Sequence, residues 1–124
     1  MNQNLMNKYQ ISFINKILDF KKWGKEIGKV PNTINIHLTN FLIDYNAQEI
    51  NELLLPDIND ALSTLSNGIE NGSETINIII YYDKVDFYDD NGLVYRIPTQ
   101  DFKEIIIGWR DFLLATPLNG TKVP

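Results

Sequence analysis

Three aspartates and an Asn-Gly pair lie among apolar residues in the stretch VDFYDDNGLVYR, from Val85 to Arg96. Carboxylates at such short spacing could bind Ca²⁺, act as a general acid and base, or contact a basic molecule. An EF-hand loop aligned on Gly92 would begin at Phe87 and end at Pro98, where oxygen ligands are required. The stretch therefore does not fit a calcium loop.

Few other residues could carry chemistry. The chain has one histidine, His37, and no cysteine, so it lacks the ligands of a typical zinc site and has no thiol nucleophile. Its serines lie in no nucleophile motif. Two carboxylate pairs, Asp57 with Asp60 and Asp101 with Glu104, are one helical turn apart, which is common on solvated helix faces. We therefore predict no catalytic residue, no metal site and no cofactor.

The Asn-Gly pair instead predicts a turn between two antiparallel strands. A two-residue loop would place the Asp86 carboxylate opposite Ile97 and mix charged with apolar side chains on one face. A three-residue loop over 90–92, with Gly92 in a left-handed conformation, separates a core face from an outer face. Its cross-strand pairs are Phe87 with Tyr95, Val85 with Ile97, Asp86 with Arg96 and Tyr88 with Val94.

The first half of the chain predicts a helix, a strand and a second helical region. Apolar residues recur at helical spacing over 12–27, and Gly28 and Pro31 are stop signals. The segment 33–38, TINIHL, alternates apolar and polar residues like a half-buried strand. Asn46 with Glu49 predicts a capping box, and Pro56 predicts a break near residue 55 of the following helix.

The second half predicts a loop, three strands and a final helix. Gly, Asn and Ser are frequent over 66–73, and the following run INIIIYY predicts a buried strand. Behind the hairpin, Thr99 is a predicted N-cap for a helix with a clear apolar stripe. The last residues, 118–124, are expected to be frayed.

Composition indicates a folded protein with an acidic balance. The chain has 124 residues, 44% of them hydrophobic, and a net charge of −5. This length suits one domain, residues 1–124, and the charge argues against direct nucleic-acid binding, which depends on Lys and Arg.

The polar N-terminus and the lack of a long apolar run predict a cytoplasmic protein without membrane association. We expect a single α+β domain in which a mainly antiparallel sheet of three to four strands packs against three to four helices.

The C-terminal third, VDFYDDNGLVYRIPTQDFKEIIIGWRDFL, resembles small bacterial immunity proteins of polymorphic toxin and contact-dependent growth inhibition systems. The resemblance rests on the strand pair with its Asn-Gly turn, the segment IPTQDF, and a helix carrying Trp109, Phe112 and Leu113. It implies a non-enzymatic inhibitor, monomeric or weakly dimeric, that binds a cognate toxin and masks its active site.

A toxin that acts as a nuclease is basic where it holds phosphate, so an acidic surface would attract it. The candidate contact residues are the acidic and aromatic side chains of the hairpin and the last helix: Asp83, Asp86, Tyr88, Asp89, Asp90, Asp101, Glu104 and Asp111. Two alternatives stay open. One is an enzyme or small-molecule-binding domain with a pocket between sheet and helices, and the other is an oligomeric structural or adaptor protein that pairs through an exposed strand such as 33–38.

Overall fold

A computed structural model describes residues 1–64 and 67–116, so the expected frayed tail lies outside the described residues. The order of helices and antiparallel strands confirms the α+β class. The elements are α1 (Gln3–Tyr9), β1 (Ser12–Asp19), β2 (Lys25–Asn32), α2 (Ile36–Ile43), α3 (Ala47–Glu49), a π-helical turn (Ile50–Leu54), α4 (Leu55–Thr64), β3 (Ile69–Gly72), β4 (Asn77–Ile80), β5 (Lys84–Asp89), β6 (Gly92–Pro98) and α5 (Thr99–Leu114).

Strands β3 to β6 form a four-stranded antiparallel sheet in sequence order, and one of its faces packs against the helices. The centre of this interface is aromatic. The rings of Phe41 on α2, Phe87 on β5 and Phe102 on α5 lie 5.7–5.9 Å apart, and all three side chains are fully buried. Edge-to-face packing of this kind adds to the stabilisation that burial itself provides. The opposite face of the sheet carries no helix layer in the part of the chain that the structure describes.

The β5–β6 hairpin confirms most of the predicted register. Phe87 pairs with Tyr95, and the remaining predicted core and charged pairs are present toward the base of the hairpin. The tip differs, because Asp89 pairs with Gly92 and Tyr88 therefore lies opposite Leu93. The loop is thus shorter than predicted, and a bulge absorbs the extra residue on β6. Gly92 has φ +110°, the left-handed conformation that the turn requires.

The predicted helix over 12–27 is wrong, because these residues form β1, a turn and the start of β2. The two strands pair antiparallel from Ser12 opposite Asn32 to Asp19 opposite Lys25. Gly24, with φ +90°, closes the turn, and its carbonyl oxygen accepts a hydrogen bond from the Phe20 amide at 2.8 Å. We call this hairpin, residues 12–32, the arm.

The predicted strand over 33–38 is also wrong, because Asn35 begins a helix there. Its side-chain oxygen accepts hydrogen bonds from the amides of His37 (2.9 Å) and Leu38 (3.3 Å), which is N-cap geometry for α2. Leu38 is then fully buried, whereas Ile36 is exposed. The adaptor alternative therefore loses the strand that was named as its example.

The capping box at Asn46 and the interruption before Pro56 are both confirmed. The Asn46 side chain accepts from the Glu49 amide at 2.8 Å, and the Glu49 carboxylate accepts from the Asn46 amide at 3.1 Å. The interruption is a π-helical turn, in which the Leu55 amide donates to the Ile50 carbonyl. This wider turn accommodates Pro56, which has no amide hydrogen to continue the α-helical ladder.

Two smaller predictions need correction. Residues 69–72, predicted as part of a loop, form the edge strand β3, while the predicted strand after residue 75 is confirmed as β4. Thr99 is not an N-cap but the first residue of α5. Its hydroxyl donates to the Tyr81 carbonyl at 2.7 Å, which ties the start of the helix to the sheet.

Candidate functional site

The structure separates the candidate contact residues of the hairpin. Asp83 precedes β5 and Asp89 ends it, so about 20 Å of strand lies between them at about 3.3 Å per residue. Asp90 is exposed at the tip, and Asp89 accepts a hydrogen bond from the Asn91 amide at 2.8 Å. Tyr88 is half-buried on the outer face of the sheet. These side chains therefore do not form one acidic patch.

Asp86 lies on the outer face of the hairpin opposite Arg96, as predicted, but the expectation that it is available to a partner is wrong, because this residue is only 2% exposed. Arg96 binds its carboxylate with two hydrogen bonds, from Nε to Oδ1 at 2.6 Å and from Nη2 to Oδ2 at 3.0 Å. These hydrogen bonds and the positive charge of Arg96 lower the pKa of Asp86, against the opposing effect of burial. The Asp86 carboxylate is thus engaged in a cross-strand ion pair on the outer face of the sheet, where the Arg96 side chain covers it and remains half exposed.

The Asp86 ion pair predicts a loss of stability in acid. Because the pKa of Asp86 is lower in the folded state than in the unfolded state, ionised Asp86 stabilises the fold fully above the unfolded-state pKa of about 3.9. This stabilisation disappears as the pH falls through the folded-state pKa. The variant Asp86→Asn should therefore show a weaker dependence of unfolding free energy on pH below about 4. Urea unfolding at several pH values measures this, with Asp90→Asn as the exposed control. If the unfolding free energies of wild type and Asp86→Asn changed equally with pH, the assignment of Asp86 to this ion pair would be contradicted.

The α5 candidates are partly occupied by other parts of the chain. Asp101 accepts hydrogen bonds from the Tyr9 hydroxyl (2.6 Å) and the Lys8 ammonium (3.1 Å) of α1. Glu104 accepts from the Asn2 side chain at 3.4 Å, and Asp111 pairs with Arg110 at 3.1 Å. The contacts of Asp101 and Glu104 hold the N-terminal segment against α5, whereas the Asp111 pair lies within the helix. They make the α5 carboxylates weaker candidates for binding another molecule.

No residue cluster suggests catalysis or metal binding within residues 1–64 and 67–116. No group of three His, Cys, Asp or Glu side chains there could hold a metal ion. His37 lies in the first turn of α2, and the Ser63 hydroxyl donates to the Asn59 carbonyl of its own helix at 2.8 Å. Neither residue is arranged as a nucleophile or base.

A second acidic region was not among the predicted contacts. Asp44, Glu49 and Glu74 line a depression of about 360 Å³ beside the turn between β3 and β4. Leu53, 57% exposed, lines the same depression. Asp57 lies next to it, since its carboxylate accepts a hydrogen bond from the depression-lining Asn71 side chain at 2.8 Å. We define the acidic surface as Asp44, Glu49, Asp57 and Glu74.

Unpaired charge distinguishes the acidic surface from the hairpin and from α5. The ion pairs of the described residues join Lys8 to Asp101, Arg96 to Asp86 and Arg110 to Asp111, and none involves the acidic surface. One sequence feature could have revealed this region. Residues 30–83 contain eight carboxylates and neither lysine nor arginine. Because this stretch has no lysine or arginine to neutralise its carboxylates, it keeps a negative potential.

Tyr45 anchors the acidic surface to the sheet edge. Its hydroxyl donates toward the Asn71 side-chain oxygen (2.6 Å) and the Gly72 carbonyl oxygen (2.8 Å). Asn71 in turn donates to Asp57, so the contact links the end of α2, strand β3 and helix α4. Burial, followed by the charge of Glu49, raises the pKa of Tyr45 to about 12.

Removing the Tyr45 hydroxyl should have a small effect at neutral pH and a distinct effect in alkali. Tyr45→Phe is expected to lower the free energy of unfolding by about 1 kcal/mol at pH 7, the usual contribution of such a hydrogen bond. Because the folded-state pKa of Tyr45 is raised, wild type should lose stability as the pH rises from about 10 toward 12, and the phenylalanine variant should lose less. Unfolding experiments over this range, with the exposed Tyr82→Phe as control, test the assignment. Parallel curves for wild type and Tyr45→Phe would refute it.

Comparison with known protein families, curated proteins and solved structures finds no match to this chain. The residues themselves therefore carry the functional argument. Across residues 1–64 and 67–116, no helix is long and apolar enough to cross a membrane.

Proposed function

We propose that this chain is a cytoplasmic, non-enzymatic immunity protein that binds a basic bacterial toxin through the acidic surface. The observation that carries the proposal is a concave group of carboxylates around the exposed side chain of Leu53, none of which forms an ion pair with a described residue. Binding surfaces commonly combine an apolar centre with a polar or charged rim. The resemblance of the C-terminal third to immunity proteins supports the same function.

Electrostatics favour a basic partner over a neutral one. The carboxylates of the acidic surface can occupy positions that phosphate groups would take on a nuclease, and their potential accelerates encounter with a positively charged protein. Leu53 would supply apolar contact, which is less sensitive to salt than the charges are. Such a mode of inhibition requires only tight binding and no reaction on the toxin.

A depression on the outer face of the sheet supports a second candidate function, binding of a small polar molecule. It has a volume of about 600 Å³, within the range of ligand sites, and its lining includes Asn71, Asn77 and Tyr88. This place differs from the expected pocket between sheet and helices, where the buried rings of Phe41 and Phe87 fill the space. A ligand there would raise the unfolding temperature without any second protein.

Co-expression tests the proposed function directly. The protein encoded by the neighbouring reading frame should arrest growth when produced by itself, and this chain should restore growth when both are produced. The two proteins should also co-purify, and light scattering should give the mass of a defined complex. A toxic neighbour that neither binds this chain nor loses its toxicity would contradict the proposal.

A further inference from the structure

The arm is fixed to the body at its base and free at its far end. Near the base, the Phe13 ring lies 5.0 Å from the Trp109 ring, and Lys29 donates to the Phe112 carbonyl at the end of α5 at 2.6 Å. A lysine ammonium also suits the negative end of a helix dipole. Among the residues that the structure describes, strands β1 and β2 pair only with each other. The distal half therefore projects with both of its strand edges unpaired.

The free end of the arm exposes large apolar side chains. Trp23 at the turn is 86% exposed, and Phe20 beside it is 43% exposed. Along β1, Ile17 is 42% exposed, and Ile14, nearer the base, is 41% exposed; the two side chains point to opposite faces of the strand pair. Two exposed aromatic side chains at one turn indicate an interaction site rather than an ordinary surface.

Lysines surround this apolar tip. The arm contains five lysines against Asp19 and Glu26, a net charge of +3, whereas the rest of the chain has a net charge of −8. Lys29 is occupied at the base, and the other four, which are exposed, form no ion pair with a described residue. They are Lys16, Lys21, Lys22 and Lys25. The tip therefore fits an occupant that is both anionic and apolar.

We propose that the arm attaches the protein to an anionic lipid membrane, with Trp23 and Phe20 in the headgroup region. Tryptophan favours the membrane interface, and lysines near the surface gain free energy from anionic lipids. The exposed isoleucines favour lipid over nucleic acid, since an aliphatic side chain packs against acyl chains and does not stack on bases as an aromatic ring does. Such interfacial binding requires no spanning helix, and it is independent of the proposed function.

The acidic body does not prevent this attachment. An eight-residue strand extends about 26 Å, and at physiological ionic strength charges are screened over about 8 Å. Carboxylates on the body therefore add little potential at the arm tip. The charge separation also orients the protein, because the same membrane repels the acidic surface.

Vesicle binding by the full chain tests the proposal. Vesicles of phosphatidylcholine with phosphatidylglycerol should sediment the protein and shift the Trp23 emission to shorter wavelength, whereas phosphatidylcholine alone should do neither. Trp109 is only 2% exposed, so a shift reports on Trp23. The double variant Lys21→Gln, Lys22→Gln should bind about 30-fold more weakly, since each lysine near the surface contributes about a factor of five. Lys84→Gln with Lys103→Gln makes the same charge change outside the arm and should bind like wild type.

Several results would overturn the proposal. One is equal or absent binding to the two kinds of vesicle, and another is unchanged binding by Trp23→Ser together with the double lysine variant. Tight binding of a single-stranded oligonucleotide with no binding to anionic vesicles would assign the arm to nucleic acid instead. Arm-dependent self-association in light scattering, again without vesicle binding, would assign it to a second copy of the chain. Circular dichroism checks that these exposed substitutions leave the fold intact.

Discussion

Replacing Trp109 with alanine is expected to lower the free energy of unfolding by about 3–5 kcal/mol, the usual cost of removing a large buried aromatic side chain. Trp109 is 2% exposed and joins three parts of the fold. Its ring contacts Phe13 of the arm at 5.0 Å and Phe112 of α5 at 6.0 Å, and its Nε1 donates to the Leu42 carbonyl at 2.9 Å. Urea unfolding followed by circular dichroism measures the loss.

A conservative variant separates packing from hydrogen bonding at Trp109. Trp109→Phe keeps a ring against Phe13 but removes the hydrogen bond to Leu42. Its free energy of unfolding should therefore lie between those of wild type and the alanine variant, and the missing hydrogen bond should account for about 1 kcal/mol of the decrease. The alanine variant should also weaken the attachment of the arm, which hydrogen exchange of β1 amides would detect. An alanine variant as stable as wild type would contradict the central position of Trp109.

Reversing charge on the acidic surface is expected to slow binding of the toxin strongly. Asp44→Lys with Glu74→Lys should reduce the association rate constant by about tenfold or more at low salt, because electrostatic steering accounts for factors of about 10 to 1,000. The difference should shrink as added salt screens the charges. Glu74 is exposed, and half-buried Asp44 lies at the C-terminal end of α2, where a lysine suits the helix dipole, so the fold should be retained. Stopped-flow mixing with an inactivated toxin measures the rate.

Two matched variants make the same change in net charge elsewhere. Asp83→Lys with Asp90→Lys alters the hairpin, and Asp19→Lys with Glu26→Lys alters the arm. If the acidic surface binds the toxin, both should associate at nearly the wild-type rate. Slow association only in the hairpin variant would move the interface to the contacts predicted from sequence. Equal slowing in all three would indicate an effect of total charge without a defined surface.

Sequence could predict elements whose signals are local and agree with one another. The Asn46–Glu49 capping box and the break before Pro56 follow from hydrogen bonds within a few residues, although the π-helical form of that break did not; α5 follows from a long apolar stripe. The hairpin register followed from matching side chains across strands, although the bulge near Tyr88 did not. That bulge depends on twist and packing, which pattern cannot specify.

The failed predictions have definite physical causes. Over 12–19, apolar residues at 13, 14, 17 and 18 satisfy a helical stripe and also the two faces of a strand, so periodicity cannot decide between them. Gly24 was the overlooked turn signal. In TINIHL, the alternation of apolar and polar residues predicted a strand, although the Asn35 side chain caps the start of a helix.

The candidate site was less predictable than the fold, because it depends on which carboxylates remain unpaired. The hairpin register did predict that Asp86 pairs with Arg96, but nothing local in the sequence shows that this pair is buried or that α1 contacts Asp101. The acidic surface likewise combines residues from α3, α4 and the β3–β4 region, which only the tertiary structure brings together. The lack of lysine and arginine over 30–83 was the one signal available.

Hydrogen–deuterium exchange on the complex with the toxin tests the central claim most directly. The proposed interface predicts slower exchange for amides over 44–57 and along the edge strand over 69–74 when the toxin is bound. Exchange at the arm tip, 20–24, should not change. Protection confined to the β5–β6 hairpin and α5, with 44–57 and 69–74 exchanging as in the free protein, would contradict the assignment of the acidic surface as the binding site.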